Sequence, residues 1–420
     1  MDNKCFTTIR PKNAVTFKQL IAPCYDEYRE PLPQSLRAVF TEARKILLEE
    51  YRFSIIVVRD RNLEDACLIF ERINNSGKKL TVFDLLVAKA YPLKFDLREE
   101  WKKLDRELLA FRGLNPVLPM QTLSLMNVKL DQEKLIEKGE ERYGCHKRHL
   151  LRLPADIIKG KWPEIKECVK LAIDFIACQI GVPTAKLLPY EAPVVLYTLF
   201  FALNGMKSPD AQQARQLEEH FWRSCISERY AQSPESVLEE DSLSIREIVK
   251  GNFPGWSWGR AVTDQEILTA RYDRRDASVL TILCLLASRH PLSFKSGIPI
   301  PVAKEFSQFN STELHHIFPR GWLKTTGNRE WLENENTLAN ICLAPSKEQR
   351  YEIRAKSPAE YLALFQNNDQ LNLALESHFI SGESVKAVLS NDFDSFIRKR
   401  AVALAEALNR KAALNISDKS

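Results

Sequence analysis

Nine cysteines are scattered from Cys5 to Cys342, and no two of them form a Cys-x-x-Cys pair. That spacing argues against a zinc ribbon, and the odd count argues against a disulfide framework. Free and mostly buried thiols are expected instead. Glycine and proline are not abundant, at 14 and 21 of 420 residues, which leaves little room for long linkers or low-complexity tails. Long apolar runs are missing too. The most apolar stretches, Val194–Leu203 and Val279–Ala287, are far short of a bilayer span. Met1–Arg10 has no apolar core of signal-peptide type, so a soluble, cytoplasmic protein with no membrane partner is expected. Excess charge is also slight: 60 basic against 55 acidic residues gives +5. A balance this small permits nucleic-acid binding without arguing for it, so any such case must rest on local residues.

The rest of the composition is that of an ordinary globular protein, long enough for two or three domains. Leu36–Tyr51 has helical spacing, Phe53–Val58 is a β-branched run that reads as a buried strand, and Asn62 can cap a helix reaching Ile73. Thr81 can cap the next helix, which ends before Pro92. From Leu93 to Lys250 the pattern is almost entirely helical. It includes Trp162–Ile180, opened by Trp162-Pro163 and closed by Gly181, and a helix with Leu217, His220, Phe221 and Ser224 on one face. The Gly251–Gly259 loop, with Trp256 and Trp258, is a candidate boundary. Helices at Asp264–Tyr272 and Ala277–His290 follow. Then the texture changes: Leu292–Pro301 is β-like, Glu335–Pro345 is a second strand-like run, and Ser346–Lys356 is polar and helical. Helices at Pro358–Phe365 and Asp394–Asn409 close the chain. The fold class expected is mainly α, with a helical middle and a small α+β C-terminal domain. The expected domains are 1–92, 93–260 and 261–420.

Two motifs stand out. The first is Glu313-Leu-His315-His316-Ile-Phe-Pro319. It is followed by Asn336-x-x-x-Asn340-Ile-Cys-Leu, then Gln349-Arg350, then Lys356-Ser-Pro358-Ala-Glu-Tyr361. From Glu313 to Leu362 the chain resembles the HNH, or ββα-metal (His-Me finger), nucleases. It is similar in particular to the nuclease domain of GmrSD-type restriction endonucleases, which attack modified foreign DNA. The resemblance implies a divalent metal, Mg²⁺ or Mn²⁺, with His315 as a ligand. It implies that His316 is the general base and that Asn340 is the middle residue, orienting the base or shaping the loop. Gln349 falls where the family has a second ligand, normally Asn or His, and so departs from the pattern. Asn336, Pro358 and Tyr361 fall at family spacing.

The chemistry is coherent by itself. Phosphodiester hydrolysis needs an activated water, for which an imidazole of near-neutral pKa is suited. It also needs positive charge on the scissile phosphate. Glu313, two residues before His315, shares its face on a strand and can orient it or bind the cation. Arg320, Lys324, Arg350, Arg354 and Lys356 surround the motif as candidate contacts to the DNA backbone.

The second motif, Ala66–Leu86, carries Phe70-Glu71, Asn74, Gly77 and Asp84. It resembles the end of the ParB-like nucleotide-binding domain of the same family. Gly77 suits a turn with positive φ, and Asp84 suits the first turn of a helix. The Asp-Gly-Gln-Gln-Arg-like motif of the nucleotide site is missing before Phe53. No nucleotide is therefore expected for this chain alone. The rest of that domain is expected to be truncated away, supplied by a separate ParB-like subunit, or lost. The functional expectation is a DNA endonuclease of a restriction or anti-phage system. The alternative is a DNA-binding or assembly subunit whose site is degenerate at Gln349. Cys145, His146 and His149 lie close together, but with no matching pair they read as ordinary surface or core residues. Phe396–Arg400 reads as a basic, solvated helix face.

Overall fold

The computed structural model describes residues 16–50, 80–127, 144–253, 255–271, 276–308, 315–345 and 348–414. The chain divides into two compact units, Met1–Asn62 and Leu63–Ser420. The expected boundaries near 92 and 260 both lie inside the second. In the first unit, α1 (Gln34–Lys45) runs on into a wider helical turn, Ile46–Glu50. The expected strand Phe53–Val58, the Asn62 cap, and Glu71, Asn74 and Gly77 lie outside the described residues.

The described second unit is mainly helical, as the periodicity indicates. It opens with α2 (Val82–Ala90), whose capping box is complete. The Thr81 hydroxyl accepts from the Asp84 amide, and the Asp84 carboxylate accepts from the Thr81 amide. Asp84 also pairs with Arg98 of α3 (Leu97–Glu107) at 2.6 Å. Burial pushes the Asp84 carboxyl up, but Arg98 and Thr81 outweigh it and leave its pKa lowered.

The helical middle is built around α6 (Ala192–Leu203), which is buried at every position from Ala192 to Phe201. It packs against α4 (Leu118–Met126), α5 (Ala155–Asp174) and α8 (Pro234–Val249). A helix apolar on all sides belongs in a core. Among the described residues no helix is long and apolar enough to cross a membrane. The α5 start differs from expectation. The helix begins at Ala155, and Pro163 lies inside it rather than at its first turn. Both Pro163 and Lys159, whose carbonyl loses its donor, are on the exposed face, where water can serve that carbonyl. Ile158, Trp162 and Ile165 meanwhile stay buried, and their burial carries the helix through the proline. Gly181 ends the run in a left-handed conformation (φ 87). A Cβ there would come within 2.8 Å of the Ser288 backbone, so both angle and space require glycine.

A buried polar network joins α6, α7 (Ala211–Ile226) and α8. Tyr197 and His220 meet at 3.1 Å, and His220 meets Tyr230 at 2.9 Å. The Tyr230 hydroxyl donates to Asp241 at 2.7 Å, and Arg229 holds both Asp241 oxygens. The Gly251–Gly259 loop closes over this network. Trp256 lies against the His220 ring, and the Arg229 guanidinium stacks on Trp258 at 4.1 Å. Arg223 donates to the Trp256 and Trp258 carbonyls and to those of Ala412 and Ala413. Both tryptophans therefore serve packing.

The α7 helix also contacts α10 (Ala277–Ser288) and α15 (Phe393–Lys411), and α9 (Asp264–Thr269) packs on α15. Of the β-like run Leu292–Pro301 only an isolated bridge, Leu292 to Pro299, forms. The run Glu335–Pro345 shrinks to Ile341–Cys342. Its first residues coil into a short 3₁₀ turn, Leu338–Asn340, held from the side by α15 and α9. The seven described cysteines are all unpaired, and five are buried, which fits the free thiols expected.

Burial alone would raise the Asp241 carboxyl, but His220, Arg229 and Tyr230 outweigh it and hold its pKa at about 2. A depressed carboxylate pKa stabilises the fold above the unfolded value and loses that contribution as pH falls through the folded one. Asp241→Ala is therefore expected to cost about 3 kcal/mol or more at pH 7, because the buried Tyr230 hydroxyl and His220 lose their acceptor and half-buried Arg229 loses its main partner. Its urea midpoint should also vary less than wild type between roughly pH 4 and pH 2. An unchanged midpoint at pH 7 would contradict this account.

Candidate active site

The site is assembled around the shortest of sheets. Strand β1 (His315–His316) pairs antiparallel with β2 (Ile341–Cys342), His315 opposite Cys342 and His316 opposite Ile341. Ile317 extends the ladder by donating to the Asn340 carbonyl at 2.9 Å. Two residues per strand cannot satisfy the backbone of a buried loop, so side chains complete the pairing.

Asn340 does most of this. It is fully buried, and its Oδ1 accepts from the Phe318 amide at 2.9 Å. Its Nδ2 donates to the Phe318 carbonyl at 3.1 Å and to the Glu335 carbonyl at 2.8 Å. Of the two roles open to it, the geometry is that of loop shaping; the ring of His316 is held by a different residue. Tyr361, on α12 (Pro358–Leu364), donates its hydroxyl to the Ile317 carbonyl at 2.8 Å. Burial raises its pKa well above the ordinary value, so it remains a neutral donor. Pro358 opens that helix inside a Ser357–Glu360 capping box.

Arg400 of α15 completes the frame. It is fully buried and donates to the carbonyls of Ala339 (2.6 Å), Ile341 (2.7 Å) and His378 (2.9 Å). Burial pulls its pKa down to about 10, which still leaves it charged at neutral pH. The basic stretch Phe396–Arg400 is therefore only partly a solvated face. Arg398 and Lys399 are exposed, while Phe396 and Arg400 point inward. The reason is helical phase, since Arg400 falls one turn after the buried Phe396. Phe318 supplies the apolar anchor, packed against Trp322, Phe393 and Phe396 with ring centroids 5.1 to 5.6 Å apart. Burial lifts the Cys342 thiol to about 12, so it stays protonated near neutral pH.

On this frame His316 is half-buried. Its Nε2 meets Asn336 Oδ1 at 3.0 Å. Asn336 Nδ2 in turn donates to Glu335 Oε1 at 3.3 Å, and the same oxygen pairs with Arg320 Nε at 3.0 Å. Thr337, donating to the Leu268 carbonyl at 2.9 Å, pins this segment to the end of α9. Sequence reasoning placed Asn336 in the motif without giving it a partner, and it overlooked Glu335 and Arg400. The one signal for Glu335 was its place beside Asn336.

The remaining candidates divide clearly. Glu313 lies outside the described residues, and so do the side chains of His315, Gln349 and Arg350. The Gln349–Ile353 backbone forms a short helical turn after β2. Arg320 and Lys324, both on α11 (Arg320–Thr325), are exposed, and Arg320 is committed to Glu335. Arg354 is exposed and left-handed (φ 53), and Lys356 turns back to the Glu352 carbonyl at 2.5 Å. Among the described residues no three His, Cys, Asp or Glu side chains converge as a cation site. That includes the Cys145, His146 and His149 neighbourhood, where His149 is buried 3.7 Å from Glu239.

Asn340→Ala is expected to lower stability by about 3 kcal/mol or more, since each buried backbone group left without a partner costs roughly 1–3 kcal/mol. Tyr361→Phe, which strands only the Ile317 carbonyl, should cost about 1–2 kcal/mol. Urea unfolding followed by tryptophan fluorescence checks the order. A larger loss in the tyrosine variant would contradict the assignment of Asn340 as the main strut.

No family model matches the chain. An uncharacterized protein of Methanocaldococcus jannaschii is 23% identical to it over 400 residues, or 88% of this chain. The chain spans 63% of that protein's length.

Proposed function

We propose that the chain is a metal-dependent DNA endonuclease of the HNH (ββα-metal) type. It would work in the cytoplasm as a subunit of a restriction or anti-phage system of GmrSD type and cut foreign or modified DNA. One observation carries this reading. The two motif segments pair, the Asn340 carboxamide locks the loop after His316, and the His316 ring stands half-buried at the edge of a rigid frame. A half-buried imidazole held at Nε2 by Asn336 and supported by a buried frame is suited to the role of general base.

His316 would take the proton from the attacking water. Asn340 is a positioning residue that fixes the turn after it, and Asn336 holds the ring. The proposed cation ligands are His315 and Gln349; imidazole and carboxamide oxygen are both ordinary donors to Mg²⁺ or Mn²⁺. When bound, such a cation would supply positive charge against the scissile phosphate. Lys324 and Arg354, exposed near the motif, are proposed to hold the DNA backbone, with Arg350 and Lys356 beside them and Arg320 contributing from its ion pair. The partners proposed are DNA and a separate ParB-like subunit carrying the nucleotide site.

The experiment is plasmid nicking with Mg²⁺ or Mn²⁺ by the full chain, with and without a ParB-like nucleotide-binding subunit. His316→Ala should retain its circular dichroism spectrum and melting temperature. It should lose about 100-fold or more in cutting rate, the ordinary contribution of a general base. Equal cutting by both proteins, or none by wild type in either metal with its partner present, would end the nuclease reading in favour of a DNA-binding or assembly subunit.

A further inference from the structure

One buried charge in the frame has no opposite. Arg400 is fully buried, and its guanidinium reaches the carbonyls of Ala339, Ile341 and His378, while Nη2 has no partner among the described residues. Among those residues no carboxylate acts on it; its titratable neighbours are Cys342, Tyr361 and His378. All three are neutral near pH 7. Burial holds the thiol at about 12 and the phenol well above its ordinary value, and it drops the imidazole to about 3.

The place of this charge is specific. The Ala339 and Ile341 carbonyls face Arg400, whereas the Asn340 carbonyl between them accepts from Ile317 on the β1 side. The guanidinium therefore closes the free edge of β2, where a third strand would lie. Strands pair about 4.8 Å apart, which sets the charge roughly 10 Å from β1. Ile341 is also the register partner of His316, so the charge lies behind the strand pair at the level of that residue. A strut need not be charged to do this bonding. Asn340 satisfies three backbone groups close by with a neutral amide. A buried cation costs far more to place than an amide or an apolar side chain. What it adds is a field that acts at a distance from inside a low-dielectric frame.

We propose that Arg400 is a positioning residue for the scissile DNA strand: its buried positive charge gives the β1–β2 site a standing attraction for a phosphodiester that it never touches. The identity of the anion rests on the nuclease reading above. Lys324 and Arg354 are exposed and can each make a phosphate contact that releases a counterion. Arg400 is shut away from solvent and releases none. Its attraction is therefore present before any surface contact forms, and it does not depend on a flexible side chain finding its target.

The test is binding of a short fluorescent DNA duplex to the full chain in EDTA, where no cutting intervenes, with melting temperature recorded for each variant. R400M removes the charge and fills the space, and R400Q removes it while keeping amide donors for the carbonyls. Each should raise Kd about 10-fold, the effect of one charge at roughly 10 Å in an effective dielectric of about 20. R400K keeps the charge without the planar fork, so it should melt lower than wild type yet bind with nearly wild-type affinity. A strut alone would make affinity follow stability through the series. Salt separates the buried charge from the surface. K324A should reduce the slope of log affinity on log salt by about 1, and R400M should leave that slope unchanged. Wild-type affinity in both neutral variants overturns the proposal and leaves the nuclease reading standing, and so does an R400K protein that binds as weakly as R400M. Neutral variants that unfold, with or without R400K, make the residue a structural requirement and overturn it as well. A wild type that does not bind the duplex sinks the nuclease reading, and this inference with it.

Discussion

A buried carboxamide, that of Asn340, is what the rest of the C-terminal region depends on. With two residues in each strand, β1 and β2 cannot pair the backbone groups of the turn that follows them. Unpaired backbone polar groups are costly once removed from water. Asn340 meets that demand at three points, on both polar groups of Phe318 and on the Glu335 carbonyl. Tyr361 takes the Ile317 carbonyl, and Arg400 takes those of Ala339 and Ile341. In effect a sheet is replaced by a cage of side chains. Its three struts come from the strand connection, from α12 and from α15, so the site forms only when the surrounding helices have docked.

The same solution recurs in the helical middle. There Asp241 gathers Arg229, Tyr230 and His220 into a buried network, and Arg223 ties the Trp256–Trp258 loop to the end of α15. Both places use charged or polar groups to set register between helices whose apolar faces would tolerate sliding. Rigidity of this kind suits a half-buried imidazole at the edge of the frame. Asn336 holds the His316 ring, and Glu335 in turn holds Asn336. The acidic and basic residues around His316 thus have more exacting duties than lining a surface.

Much of this was legible beforehand. Helical periodicity indicated the helical middle that holds the core helix Ala192–Leu203, and Thr81, read as a helix cap, does cap its helix, with Asp84 completing a capping box. His316, Asn336, Asn340 and Tyr361 were each picked out by motif spacing, and the fold draws them together through direct or shared contacts. Arg400 and Pro163 were misjudged for opposite reasons. Arg400 sits in a basic run that looks solvated until helical phase turns it inward, and Pro163 looks like a helix start until the burial on either side overrides it.

By itself the sequence determined the mainly helical class, the lack of any helix suited to a bilayer among the described residues, and the identity of the motif residues. These follow from periodicity and from short-range chemistry, both of which act within a few residues. Tertiary structure alone decided which residue holds the His316 ring, how far each strand extends, and why an arginine lies buried among carbonyls. Those outcomes depend on hydrogen-bond demand at contacts between residues as far apart as Ile317 and Tyr361, or Ala339 and Arg400, and no local pattern encodes them.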